Sequence, residues 1–140
     1  MKIQGYASQV GMDRIRDVVP SGAFAESIAK RGLKGPHSVR LQWQHLGEVI
    51  IGSIDKLDAK KDGLWVEDTV NEKISFGRDA AEMERSNGGM SFSIGYRPID
   101  VDLAEDSDGE YLILRRCDLK EISIVTDPSN LNAFITEYDL

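Results

Sequence analysis

Cysteine is almost missing from this chain: Cys117 stands alone among 140 residues. No disulfide can therefore form within it, and nothing demands an oxidising compartment. Cys117 lies in a strand-like stretch with apolar neighbours, where a free thiol most often acts as a small buried hydrophobe. Histidine is nearly as scarce, with only His37 and His45. One cysteine and two separated histidines offer no zinc constellation, and no Gly-x-x-x-x-Gly-Lys-Ser/Thr phosphate loop occurs, so neither metal nor cofactor is expected. Long apolar runs are also missing. Nothing approaches the roughly 18 residues of a membrane span, and Met1–Tyr6 lacks the apolar core of a signal peptide, so a cytosolic protein is expected. Basic charge is in deficit: 17 Lys and Arg face 24 Asp and Glu, for a net charge of −7. Basic residues are scattered, with short pairs such as Lys60-Lys61 and Arg115-Arg116. Nucleic-acid binding needs a basic face that displaces counterions from phosphates, so direct contact with DNA or RNA is not expected.

What is present is the balance of an ordinary globular domain, 41% hydrophobic and 29% charged, and residues 1–140 read as one domain with a modest core. Gly5 to Val10 suits a short strand. Val18–Gly22 has turn chemistry, with Ser21 or Gly22 as N-cap of a helix over about Ala23–Arg31 that puts Phe24 and Ile28 on one face. Gly32, Gly35 and Pro36 end it. From Val39 to His45 the pattern alternates, Val39, Leu41, Trp43 and His45 against Arg40, Gln42 and Gln44, the period of a half-buried strand. Val49–Leu57 and Leu64–Val70 predict two more strands around an Asp58–Gly63 turn. Asn71–Ser86 has helical composition and stops at Asn87-Gly88-Gly89. Met90–Arg97 alternates again, Asp102–Glu110 reads as a solvated acidic hairpin loop, and Tyr111–Arg116 and Leu119–Thr126 are the last long strands. Strands dominate and two helices interrupt them. The expected fold is a strand-rich α+β domain, a small closed β-barrel with peripheral helices.

Catalysis by a serine needs a base within hydrogen-bond reach and a group that orients the base. His37 follows Gly35-Pro36 and reads as a surface loop residue. His45 ends the Val39–Trp43 face, so its ring is expected to point as the core does. By position alone such a histidine is more often structural than a base. Ser91, Ser93 and Gly95 make a face of small residues between large ones. By periodicity alone that pattern fits close strand packing better than a groove holding a nucleophile.

Four separated segments, in order, resemble the prohead (head-maturation) serine proteases of tailed phages. The first is Gly5-Tyr6-Ala7 with Asp17-Val18-Val19-Pro20-Ser21-Gly22-Ala23-Phe24, and the second Leu41-Gln42-Trp43-Gln44-His45 with Ile51-Gly52. The third is Gly77-Arg78-Asp79 leading into Phe92-Ser93-Ile94-Gly95-Tyr96-Arg97-Pro98. The fourth is Leu119–Thr126 with Pro128 and Asn130. The resemblance implies a serine endopeptidase related in fold to the herpesvirus assemblin proteases. It implies His45 of the Trp-x-His segment as base and Ser93, before Ile94-Gly95-Tyr96, as nucleophile; Ser91, on the same face, is the rival. Assemblin-type enzymes orient the base with a second histidine on a later strand, and this chain has none after His45. Its matching strand offers Glu121, a carboxylate able to hold the imidazole tautomer, whose alternative is an ion pair with Arg97, Arg115 or Arg116. The assemblin arrangement draws its oxyanion donors from the turn after that strand, here Asp127–Asn130. Pro128 lacks an N–H, which leaves Ser129 or Asn130.

The sequence departs from many relatives at Leu46, where a polar or acidic residue is usual, and at Asp127-Pro128-Ser129-Asn130. It is also shorter at its end. The partners implied are phage scaffold and major capsid protein precursors, and the protease's own tail, met in the host cytoplasm inside the immature head; a homodimer is compatible with this. The competing reading is a non-catalytic, protease-like assembly module that docks scaffold or capsid protein. An unrelated acidic binding barrel is a more distant one.

Overall fold

A computed structural model of the chain describes residues 1–11, 13, 16–128 and 131–138. In chain order the elements are β1 (Lys2–Gln9), β2 (Asp17–Val18), α1 (Ala25–Arg31), β3 (Arg40–Trp43), β4 (Gly52–Lys60), β5 (Gly63–Val70), α2 (Ser75–Asn87), β6 (Ser91–Asp106), β7 (Gly109–Val125) and β8 (Thr136–Glu137).

These strands form two sheets. One is antiparallel in the order β4-β5-β1-β8. The other is organised by β7, which carries β6 antiparallel along one edge and the short β2 and β3 parallel along the other. The inner face of the second sheet is built in rows: Leu41–Ile122–Ile94 on one rung and Trp43–Ile124–Phe92 on the next. Opposite them, Ile3, Val66, Leu64 and Ile54 of the first sheet are buried. Alternation put these residues on one side of each strand, and covering that side with the other sheet removes them from water.

The sheets are not closed into a barrel, which corrects the expected architecture. The chain passes between the sheets four times, and two of the seams are joined by single bridges. The stretch read as one strand from Val49 divides in two. Ile50 bridges Gln42 and the Ile51 N–H donates to the Leu41 carbonyl, whereas Gly52 onward pairs with β5. A Cβ at Gly52 would lie 1.9 Å from the Thr69 carbonyl oxygen, so only glycine permits this crossing. At the other seam Phe134 bridges Ser91, and two residues later β8 pairs with β1. Single bridges cannot extend into ladders, so each seam is stitched rather than continuous.

The remaining differences concern where pairing begins and ends. Helix α1 starts two residues later than expected, its N-cap is Phe24 rather than Ser21 or Gly22, and no side chain caps it. Helix α2 starts at Ser75, after a turn from Asn71, and ends on Gly88 in the left-handed conformation. The acidic segment is part of a long ladder: β6 and β7 pair out to Asp106 and Gly109, leaving only Ser107 and Asp108 as the turn. The hairpin is solvated as expected, but its backbone groups are paired rather than looped. Cys117 is buried, and burial pushes its thiol up to about 11, with Asp17 adding to the effect. It is an inert packing residue.

Candidate active site

The sheet face opposite the core carries the polar residues. In register across β3, β7 and β6, one rung reads Arg40–Glu121–Gly95 and the next Gln42–Ser123–Ser93. Glu121, Ser123 and Ser93 are all buried. The small-residue face of β6 is thus real, and its cause is specific. A Cβ at Gly95 would lie 2.3 Å from Glu121 Oε1, so the missing side chain is the slot in which the carboxylate lies.

His45 reaches that face by an unexpected route. Strand periodicity put it with Trp43 on the core side, but β3 ends at Trp43. Gln44 and His45 then both take positive φ, +51° and +58°, and the Leu46 N–H donates to the Trp43 carbonyl at 2.9 Å. Positive φ at both central residues is what a type I′ turn requires. The turn ends the alternation and carries the imidazole to the polar side. Left-handed backbone costs a non-glycine residue roughly 1–2 kcal/mol, so the turn needs anchors. The Gln44 N–H donates to the Ile124 carbonyl at 3.0 Å. The Gln44 side chain bonds Thr126 twice, its Nε2 donating to Oγ1 and its Oε1 accepting from the backbone N–H.

The result is a held imidazole. His45 Nδ1 lies 2.5 Å from Glu121 Oε1. An ionised carboxylate only accepts, so the proton of this bond sits on Nδ1 and the Nε2 lone pair is left to take a proton from elsewhere. The hydrogen bond to Glu121 raises the His45 pKa above the ordinary imidazole value; partial burial opposes this and the carboxylate's charge supports it. The second carboxylate oxygen accepts from Ser123 Oγ at 2.6 Å, and the same Oγ accepts the His45 backbone N–H at 3.1 Å. Sequence reasoning missed Ser123. The available signal was its place two residues after Glu121, on the same strand face.

The structure brings His45 and Glu121 together and sets Ser93 one rung from the carboxylate, opposite Ser123. Among the described residues no hydrogen bond joins the Ser93 hydroxyl to His45. Ser91 lies one rung further, opposite Val125. Arg115 and Arg116 pair elsewhere, with Asp102 and Glu26. His37 is exposed and lines, with His45, Arg40, Lys120 and Glu121, a cleft of about 410 Å³. Ser129 and Asn130 lie outside the described residues. Among the described residues no cluster of His, Cys, Asp and Glu could hold a metal, and no helix is long and apolar enough to cross a membrane.

An imidazole with Nδ1 on a buried carboxylate and a serine on the same sheet face is the layout of a serine hydrolase. The sequence matches the family described as caudovirus prohead serine protease over residues 1–139. The chain belongs to that family. A curated relative, the prohead protease of Escherichia phage T5, is 31% identical over 133 residues, which cover 93% of this chain and 59% of the relative. The chain therefore spans little more than half of that prohead protease's length. Among solved structures, the fold is similar to that of KSHV protease crystallised with a hexapeptide phosphonate inhibitor, with a TM-score of 0.54 and 9% identity. The match covers 99% of this chain and 65% of that one, and it places this prohead protease family member in the herpesvirus protease fold.

Proposed function

We propose that this chain is the peptidase domain of a head-maturation protease, with Ser93 as nucleophile, His45 as general base and Glu121 as the orienting carboxylate. The observation that carries the reading is the 2.5 Å contact between His45 Nδ1 and Glu121 Oε1 on the face that bears Ser93. Ser93 Oγ would bond to the scissile carbonyl carbon as its proton passes to His45 Nε2. The C–N bond would break as that proton moves to the leaving amine, and water would then release the acyl group by the same route. The missing Ser93–His45 hydrogen bond is compatible with this, because such contacts often tighten only when substrate is bound. Ser93 is favoured over Ser91 because it lies a rung nearer the carboxylate. Oxyanion donors are assigned to the N–H groups of Ser129 or Asn130, since the Thr126 N–H is taken by Gln44.

Family membership supports scaffold and capsid precursors as substrates, with the protease's own tail as a further one, inside the immature head. Confinement in the shell supplies a high effective concentration, so intrinsic affinity can be low. Co-expression with the cognate capsid and scaffold proteins, followed by mass spectrometry of the products, tests this. Precursor cleavage that disappears with Ser93→Ala is the expected result. Normal cleavage by Ser93→Ala, with loss in Ser91→Ala, would reassign the nucleophile. No cleavage and no fluorophosphonate labelling by the wild-type chain would favour a non-catalytic assembly module.

A further inference from the structure

We infer that Ser123 is a positioning residue of this site: its hydroxyl joins the Glu121 carboxylate to the main chain of His45, so that the imidazole is held at both its ring and its backbone. The inference deepens the proposed reading and rests on its assignment of His45 as base. Three observations carry it. Ser123 is fully buried. Its Oγ–H donates to Glu121 Oε2 at 2.6 Å, and the same oxygen accepts the His45 N–H at 3.1 Å. One hydroxyl has one proton to give and lone pairs to receive, and here both capacities go to the two residues that form the 2.5 Å imidazole–carboxylate contact. A serine with a purely local role would bond a nearby main-chain carbonyl instead, as Ser38 does with that of Gly35 three residues back.

The bond has a mechanical meaning. The carboxylate lies in the slot left by Gly95, which bounds it on one side only. Among the described residues no other hydrogen bond holds Oε2, so without the Ser123 proton the group can rotate away from Nδ1. The His45 N–H would at the same time lose its acceptor in a turn whose backbone is already left-handed. Other charged and titratable groups face this cleft: Arg40 from β3, Lys120 from β7, Tyr96 from β6, and Arg31 and His37 from α1 and the loop after it. Arg31 is occupied by Asp118 through two hydrogen bonds. Glu121 is the contact that dominates the His45 titration.

The test follows the His45 imidazole by NMR across a pH titration, in the full chain carrying Ser93→Ala so that it stays intact. His37, the other histidine, is the internal reference. Ser123→Ala is expected to lower the His45 midpoint toward that of an ordinary imidazole while the His37 midpoint stays put. In the chain with Ser93 intact, Ser123→Ala should lower kcat by about 10²-fold, the scale of a misplaced catalytic group, with KM unchanged and the acid limb moved to lower pH. Ser123→Cys keeps the shape with a much weaker donor and acceptor, and it should behave as the alanine variant does even if the latter folds poorly. A His45 titration and pH profile that superimpose on the parent's in either folded variant would overturn the inference, whatever happens to stability. If the titration moves but Ser93→Ala still cleaves, the inference stands and the nucleophile assignment falls.

Discussion

Each sheet buries one carboxylate, and the two are treated in opposite ways. Glu121, in β7, has both oxygens engaged, by His45 and by Ser123. Asp68, in β5, sits on a rung between Ile54 and Ile3, is completely buried, and has no hydrogen-bond partner on either oxygen among the described residues. Burial pushes its carboxyl well above the usual range, and the nearby Asp55 charge adds to the shift. Desolvating a carboxylate is unfavourable unless hydrogen bonds and opposite charge replace water. One site supplies the replacement, through His45 and Ser123. The other supplies none, and burial shifts the group toward its protonated form. Burial of an acid, taken alone, therefore indicates no function; its partners decide.

Substitutions on the two sheets can sharpen or break this contrast. The largest effect is expected at Ser93. Loss of a triad nucleophile costs roughly 10⁶ in turnover, while stability should change by less than about 1.5 kcal/mol, the scale of one hydrogen bond. Precursor processing and urea denaturation, run side by side, measure the two. Next is Glu121→Gln, which keeps the shape but offers the imidazole a donor and favours the wrong tautomer. The comparable change in a known triad costs about 10⁴, and at least a roughly 10²-fold loss is expected here, with Glu121→Asp retaining more. Processing at the parent rate would leave a Ser93–His45 dyad and make Glu121 no different in kind from Asp68.

Gly95→Ala probes the same carboxylate from the other side. The new methyl would meet the flexible end of Glu121 rather than backbone, so the carboxylate should swing off His45 with little loss of fold. A fall in kcat of about 10-fold to 10²-fold is expected, and full activity would show that the slot is not needed. Asp68→Val should go the other way, leaving processing intact and raising stability. Relief of a buried, unpaired polar group is worth about 1–3 kcal/mol. A carboxyl whose pKa is higher folded than unfolded favours the folded state at low pH. That contribution is lost as pH rises from about 3.9, the unfolded value, through the raised folded one. Asp68→Val should flatten this part of the stability profile, and denaturation series between acid and neutral pH would reveal it. A valine variant less stable than the parent would mean that Asp68 has a partner in solution.

The smallest effect concerns pH. Activity should rise as His45 loses its proton, with a midpoint above about 6.5, the ordinary imidazole value, because Glu121 favours the charged ring. In Glu121→Gln any residual activity should have its midpoint at lower pH. The same raised pKa adds stability that is fully present below that ordinary value and is lost as pH rises through the folded one. Equal midpoints in the two proteins would remove the carboxylate from the titration.

Alternation alone identified the inner faces of β3 and β6, since Leu41, Trp43, Phe92 and Ile94 each follow a period of two that covalent geometry imposes on a strand. Gly88 as the stop of α2 was equally legible, because left-handed backbone favours glycine. The order of motifs along the chain carried the family. Three things were decided only by the tertiary structure. His45 leaves the core face because two consecutive left-handed residues, Gln44 and His45, override the alternation, and neither residue type signals such a turn. The two sheets stay open because two of their seams are joined by single bridges rather than ladders, a matter of pairing partners rather than local pattern. Glu121 finds His45 across 76 residues, and Ser123 joins them across 78. Periodicity reports which side of a strand a residue occupies, but a contact at that separation depends on which strands lie side by side, and that is settled only when the chain packs.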